Sequence, residues 1–368
     1  MKIAVLREKT EGERRVAATP DTVKKYIEIG AEVIVERDAG LGVAISDKDY
    51  EKYGATISDD ISDADVVLCV NPPSENSLSK MKSGSNIVGM LSPYAKTESI
   101  EHFNQNSLSA FSLELLPRIS RAQSMDVLSS QSNLAGYRAV IDAVATLGKA
   151  TPMMMTAAGT IAPAKILVIG AGVAGLQAIA TAKRMGAVVS AFDVRPVVKE
   201  QVESLGAKFI EVEDTESGEA TGGYAKEMSD DYKRKQGELI AQTIKKQDIV
   251  ISTALIPGKP APVLITEDMV KTMREGSVIV DLAALNGGNC PLTELDNVTV
   301  KYGVALIGYS NMPSRVAIDA SQLYARNIYN FVSTLLIGEK SINIKWDDEL
   351  VKGTLLTRDG STIHPMFA

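Results

Sequence analysis

A chain of 368 residues, 45% hydrophobic and 23% charged, has a globular composition and room for about two domains. A net charge of −7, with no basic stripe interleaved with aromatics, argues against a nucleic-acid surface. Cys69 and Cys290 lie far apart without C-x-x-C spacing and read as buried thiols in a reducing compartment, not as a disulfide or zinc site.

The first residues give a strand followed by charges, with too short an apolar core for a signal peptide. The longest nearly uncharged stretch, 166–182, is a little short for a membrane span and contains Gln177 and three glycines. The expectation is a soluble chain with no transmembrane segment. In the first third, strand-like runs over 2–6, 32–36, 65–70 and 86–91 alternate with helical pieces over 20–29, 50–53 and 98–104. Thr19 is the expected N-cap ahead of Pro20. Such alternation implies a parallel sheet with helices on both faces, a Rossmann-like unit lacking a phosphate fingerprint.

From Leu115 the composition changes. Residues 117–133 carry Arg118, Arg121, Gln123, Asp126, Ser129, Gln131 and Asn133 with neither period nor turn cluster, and lead into a helix over 134–147. Polar side chains crowded between two α/β units read as the wall of a cleft, or alternatively as a solvated linker. The methionine run 153–155 reads as adaptable packing.

The second half is organised around 165–195. The β-branched run 166–169, bounded by glycine, suits a buried parallel strand. Gly170, Gly172 and Gly175 then form G-x-G-x-x-G where strand should pass into helix. Gly170 allows the tight turn, Gly172 lets backbone approach a pyrophosphate, and Gly175 lets helix and strand pack closely. Val173, Leu176, Ile179 and Ala180 keep helical spacing, Gly186 ends the helix, and a strand over 187–192 runs into Asp193. That acid lies roughly 20 residues beyond the glycines, where a dinucleotide fold places the carboxylate for the adenosine ribose. A carboxylate there repels a 2′-phosphate and favours NAD over NADP, although Arg195 stands close enough to accept one. The alternative is an ordinary βαβ turn with no ligand.

Further strands are expected over 208–212, 248–252, 277–282 and 304–308, with a helix over 233–246. The polar insertion from Asp214, with Gly222 and Gly223 beside Tyr224, reads as a hinged lid. Thr253 to Lys259 follow a strand's C-terminal end, where ligands sit in open α/β sheets. One long helix over 313–336 would return the chain to the first domain, and 358–360 read as a hairpin turn. The division expected is 1–133 with 314–368, and 134–313. Neither His102 nor His364 falls in the glycine turn or the polar wall. There is no Ser-His-Asp order and no metal-binding motif, so no metal site is expected.

Gly12 to Pro20 (Gly-Glu-Arg-Arg-Val-Ala-Ala-Thr-Pro) and the run from Gly30 resemble the family shared by alanine dehydrogenase and nicotinamide nucleotide transhydrogenase. Residues 118–142, 170–175, 222–228 and 254–266 are similar to the NAD(H)-binding component, domain I or alpha subunit, of its proton-translocating transhydrogenase branch. The resemblance covers essentially the whole chain. It implies two Rossmann-like doubly wound domains separated by a cleft, in a dimeric, peripheral subunit on the cytoplasmic side of a membrane partner. Hydride would pass between its NAD(H) and NADP(H) on another domain, coupled to proton movement through a membrane-spanning part. Carried over, Arg118, Asp126 and Ser129 would orient the nicotinamide, and Gln123 would face the partner's NADP(H). Gly170, Gly172, Val173, Ala174 and Gly175 would line the pyrophosphate, with Asp193, Val194 and Arg195 at the adenosine end. Gly223 and Tyr224 would belong to a mobile loop, and Gln236, Ala254 and Leu255 fall at nucleotide-side positions.

Oxidising an amino acid releases protons as well as hydride, so the family's dehydrogenase branch needs a general base and a cation. Its lysine and histidine positions here read Val70-Asn71-Pro72 and Leu91-Ser92-Pro93. Hydride passing between two nicotinamides moves no separate proton and needs alignment at roughly 3–3.5 Å with water excluded. An amino-acid dehydrogenase and a non-enzymatic NAD sensor are the rival readings. One departure stands out: Leu285 occupies a place where the family usually has glutamate.

Overall fold

The computed structural model describes residues 1–95, 97–212, 228–256 and 258–368. The expected lid, with Gly223 and Tyr224, lies outside the described residues. The chain divides into two compact units, Met1–Gln131 with Pro313–Ala368, and Ser132–Met312.

In the first unit the parallel strands lie in the order Thr56–Ile57, Glu32–Val35, Lys2–Val5, Val66–Leu68, Asn86–Gly89, Ser109–Ser112. Numbered along the chain this is 3-2-1-4-5-6, the doubly wound arrangement of a dinucleotide-binding fold. Alternate residues of the first strand feed opposite cores, Ile3 and Val5 into one, Ala4 and Leu6 into the other. A sheet covered on both faces needs such unbroken apolar runs. The helix Pro20–Glu28 starts where Thr19 and Pro20 place it, and the Thr19 amide donates to Thr22 Oγ1 at 2.9 Å. The tail does more than form a hairpin: Leu355–Arg358 adds antiparallel to Ser109–Ser112, and Ser361–Thr362 folds back on it.

The returning segment is not one uniform helix. A 3₁₀ turn, Pro313–Val316, precedes the α-helix Ala317–Phe331, and a π-helical turn, Val332–Leu336, ends it. Tyr324, Ile328 and Phe331 are buried in the first unit's core, which is what ties this helix to that unit.

The second unit repeats the doubly wound order with Lys208–Ile210, Val188–Phe192, Lys165–Ile169, Ile249–Ser252, Val278–Asp281 and Val304–Ile307, all parallel. Val298–Lys301, absent from the sequence expectations, adds as an antiparallel edge strand. The expectation for the methionines is corrected. Met154–Thr156 and Gly159–Ile161 form a separate two-stranded hairpin, on which Met153 is 62% and Met155 78% exposed.

The helix expected from residue 134 begins already at Val127 and runs to Thr146. Its start is set by Asp126, whose carboxylate accepts from the Ser129 amide at 2.9 Å and the Ser129 hydroxyl at 2.6 Å. A local cap supplies what apolar periodicity does not announce. Among the described residues no helix is long and apolar enough to cross a membrane. Cys69 and Cys290 are buried free thiols.

Candidate functional site: a glycine turn and a polar wall

The second unit's candidate site stands at the C-terminal ends of adjacent strands. The glycine turn follows the strand Lys165–Ile169 and is fastened on both sides. The Gly170 amide donates to the Phe192 carbonyl at 2.8 Å, and Thr253 Oγ1 donates to the Gly170 carbonyl at 3.1 Å. Gly170 has φ +95°, which L side chains rarely adopt. A Cβ on Gly175 would lie 1.8 Å from the Gly170 carbonyl oxygen, so close packing there requires glycine. Gly172 differs: a Cβ there would meet only Arg195 Nη2, at 3.9 Å.

The helix Val173–Arg184 starts at Gly172 with no side-chain cap. Uncapped first-turn amides beside open space are what a bound pyrophosphate satisfies, with the helix dipole adding to the attraction. Val173 is 40% exposed at this edge. The residues present therefore fit the phosphates of a dinucleotide.

Asp193 follows the neighbouring strand Val188–Phe192 and is buried. Its Oδ2 accepts from the Ala171 amide inside the glycine turn at 2.7 Å. Arg195 holds the same carboxylate through its amide, Nε and Nη2 at 2.9, 2.9 and 2.7 Å. Sequence spacing places the acid; the structure adds that it is anchored to the turn and neutralised by a cation.

Ala254 and Leu255 follow the strand Ile249–Ser252 on the other side. Their backbone is held by Asn289, which sequence reasoning missed. Asn289 Oδ1 accepts from Ser252 Oγ at 2.6 Å and the Ala254 amide at 3.2 Å, while Nδ2 donates to the Ala254 and Pro262 carbonyls at 2.9 and 2.8 Å. A wholly buried asparagine with each polar atom engaged acts as a surrogate peptide bridging two segments. Gln236 is buried on the helix Asp230–Ile244. Leu285, on the short turn Ala284–Asn286 after the strand Val278–Asp281, is 66% exposed.

In the first unit, Arg118, Gln123, Asp126 and Ser129 line one cavity of ≈320 Å³, together with Ser120. The four side chains drawn from a segment without periodicity are thus brought together. Arg121 is not among them. Its guanidinium turns away to Asp348 at 2.9 and 2.7 Å and to Glu349 at 3.1 Å.

A second polar cluster in this unit was not foreseen. Asn71 Nδ2 bridges Glu8 and Glu13, donating at 3.1 and 3.0 Å. Glu13 takes Arg15 Nε and Nη2 at 2.8 and 2.7 Å, and Arg15 Nη1 donates to Gln131 at 2.9 Å. The Arg15–Glu13 side chains are only 5% and 0% exposed, so the cation beside Asn71 is neutralised within the chain. Burial pushes the Glu8 carboxyl up to about 7, against hydrogen bonds from the Val70 and Asn71 amides and the Asn71 side chain. Burial also pushes Glu13 up, but the hydrogen bonds and charge of Arg15, with Asn71, outweigh it and hold Glu13 at about 2. At the other family position, the Ser92 amide donates to both Glu114 oxygens at 3.1 Å. The signal that could have pointed to this cluster is the density of Glu8, Glu13, Arg14 and Arg15 just after the first strand.

Two family models match, "Alanine dehydrogenase/PNT, N-terminal domain" over residues 4–135 and "Alanine dehydrogenase/PNT, C-terminal domain" over 139–365. The chain is 52% identical to the first portion of the NAD(P) transhydrogenase alpha subunit of Rhodospirillum rubrum, a separate protein there, covering 99% of this chain and 98% of that one. It is 30% identical to "Alanine dehydrogenase 1" of Staphylococcus aureus, covering 90% and 87% respectively. The crystal structure of transhydrogenase from Sinorhizobium meliloti superposes with a TM-score of 0.88 at 47% identity, covering 100% of both chains. The doubly wound units, the glycine turn and these likenesses agree: the chain belongs to the alanine dehydrogenase/PNT family, on its transhydrogenase alpha-subunit branch, an oxidoreductase component.

Proposed function

We propose that this chain is the NAD(H)-binding catalytic component of a proton-translocating NAD(P) transhydrogenase. It passes hydride between its own NAD(H) and NADP(H) on a partner domain. The observation that carries the reading is the uncapped helix start at Gly172, with open space before it and Asp193 tied to the same turn. Gly170, Gly172, Val173, Ala174 and Gly175 cradle the pyrophosphate. Asp193, with Val194 and Arg195 beside it, serves the adenosine ribose. Gln236, Ala254 and Leu255 lie on the nucleotide side.

NADH and NADP⁺ become NAD⁺ and NADPH when one hydrogen nucleus and two electrons move together, so no separate proton needs an acceptor. Arg118, Asp126 and Ser129 orient the nicotinamide, and Gln123 faces the partner's NADP(H). The cavity that these four line supports the assignment. Asn71 and the sealed Arg15–Glu13 pair support hydride exchange over amino-acid oxidation, which needs a base and an unpaired cation for the substrate carboxylate. The partner is a membrane-spanning, NADP(H)-binding subunit or domain that couples the exchange to proton movement, and this chain sits peripherally on the cytoplasmic side. The chain acts as a homodimer. An isolated two-stranded hairpin gains little from its own pairing, and the bare methionines on this one suit burial against a second copy.

The test mixes the full chain with an NADP(H)-loaded transhydrogenase partner domain and follows hydride between NADH and an oxidised nucleotide analogue. Transfer that requires both components is the expected result. Turnover of alanine or pyruvate with NAD by the chain alone would replace the reading with an amino-acid dehydrogenase. NADH binding without any transfer would leave a nucleotide sensor.

A further inference from the structure

The cavity residues Gln123, Asp126 and Ser129 sit on either side of a bend. A 3₁₀ turn, Ser120–Met125, ends before it, and the helix Val127–Thr146 starts after it. The cap at Asp126 is local to the helix start and does not fix the angle between the two pieces. What spans the bend is a side chain from the far end of the sequence.

Asn327, buried on the returning helix Ala317–Phe331, donates from Nδ2 to the Ser124 carbonyl at 2.8 Å. Its Oδ1 accepts from the Ser130 hydroxyl at 2.7 Å. One amide therefore grips the last turn before Asp126 and the first turn after it. Close to one helical turn further on, Asn330 Nδ2 donates to the same Ser124 carbonyl at 3.0 Å. Two donors on one carbonyl use both of its lone pairs. Ala122 and Met125 are buried beneath the turn, and Gln131 Nε2 donates to the Ala320 carbonyl at 3.1 Å. The apolar contacts hold the segment down; the asparagines set its register.

We infer that Asn327, assisted by Asn330, is a positioning residue for hydride exchange: it fixes Gln123 on one side of the Asp126 bend relative to Ser129 on the other. The inference rests on the proposed function, because aim matters only if Gln123, Asp126 and Ser129 serve the nicotinamides. Asn327 acts through the Ser124 carbonyl and the Ser130 hydroxyl, and touches no reacting atom. A reaction that depends on alignment alone is sensitive to such a support. A misplacement of about 1 Å costs roughly 100-fold in rate.

The experiment compares wild type, Asn327→Asp, Asn330→Ala and Ser130→Ala, each as the full chain with an NADP(H)-loaded partner domain. Asn327→Asp keeps the shape and the bond from Ser130 but loses the donor to Ser124. NADH affinity is read from nucleotide fluorescence, hydride transfer at saturating nucleotide, and folding from thermal unfolding. The expected result is transfer reduced roughly 10- to 100-fold in Asn327→Asp, with NADH affinity unchanged. Asn330→Ala and Ser130→Ala should show smaller losses in the same order. Should Asn327→Asp not fold, those two carry the test. Transfer unchanged in the folded variants, or lost only in step with affinity, overturns the inference while wild-type transfer leaves the function standing. A wild-type chain that transfers no hydride overturns both.

Discussion

Arg195 grips Asp193 across two residues of chain, Nε to Oδ1 at 2.9 Å and Nη2 to Oδ2 at 2.7 Å. The pair closes the turn's acid with an internal cation while Ala171 holds it from the other side. A ribose hydroxyl arriving here meets a carboxylate already fixed in place, and fixed acceptors lose little freedom on binding. Asp193→Ala should weaken NADH binding by about 1–3 kcal/mol, read by fluorescence titration of the folded variant. Unaltered affinity would remove Asp193 from the site.

The glycines separate by role. Gly175→Ala forces a Cβ to within 1.8 Å of the Gly170 oxygen, and Gly136→Ala forces one to within 2.0 Å of the Ala174 oxygen. Backbone on both sides leaves no room to yield, so each should cost about 1–3 kcal/mol or more in urea unfolding. Gly172→Ala meets only a side-chain tip at 3.9 Å and should unfold like wild type. It should nonetheless bind NADH more weakly, because the methyl occupies the ligand's approach. Equal affinity in Gly172→Ala would separate the turn from phosphate binding.

Glu8 and Glu13 should pull stability in opposite directions with pH. Glu13 is held at about 2, below its usual 4.5, so its stabilisation is present above 4.5 and is lost as pH falls towards 2. Glu8 is raised from 4.5 to about 7, so its stabilising effect is fullest below 4.5 and is lost as pH rises through 7. Urea unfolding at pH 5 and pH 8 should show a larger fall for wild type than for Glu8→Gln. An identical fall in both proteins would place the titration elsewhere. Glu13→Gln leaves Arg15 buried without its charge partner and should cost about 3–5 kcal/mol at neutral pH.

Met155, 78% exposed on its hairpin, should matter to assembly and not to folding. Met155→Glu introduces a charge that a buried contact tolerates poorly, and light scattering should show the dimer shifting towards monomer. A dimer of unchanged strength would locate the contact on another face.

Much of the molecule was legible from local pattern. The β-branched run before Gly170, the glycine spacing and Asp193 at the end of the next strand are short-range signals. Backbone geometry and burial impose them wherever they occur. Thr19 with Pro20 marked a helix start for the same reason. The polar segment around Arg118 carried its composition openly but not its shape. Its helix begins at Val127 through the Asp126 cap, and its register comes from Asn327 and Asn330. The methionines were misread because apolarity in a sequence does not say which apolar side chains stay exposed.

The sequence by itself determined that two doubly wound units would form and where a dinucleotide's phosphates would lie, since both follow from residue type at fixed local spacing. Only the tertiary structure decided that Arg15 is consumed by Glu13 and Gln131, that Ala254 hangs on Asn289, and that Ser124 is held by the returning helix. Apart from Glu13, those partners lie tens to hundreds of residues away along the chain. No periodicity encodes such pairings; packing selects them when the buried polar groups must each find a match.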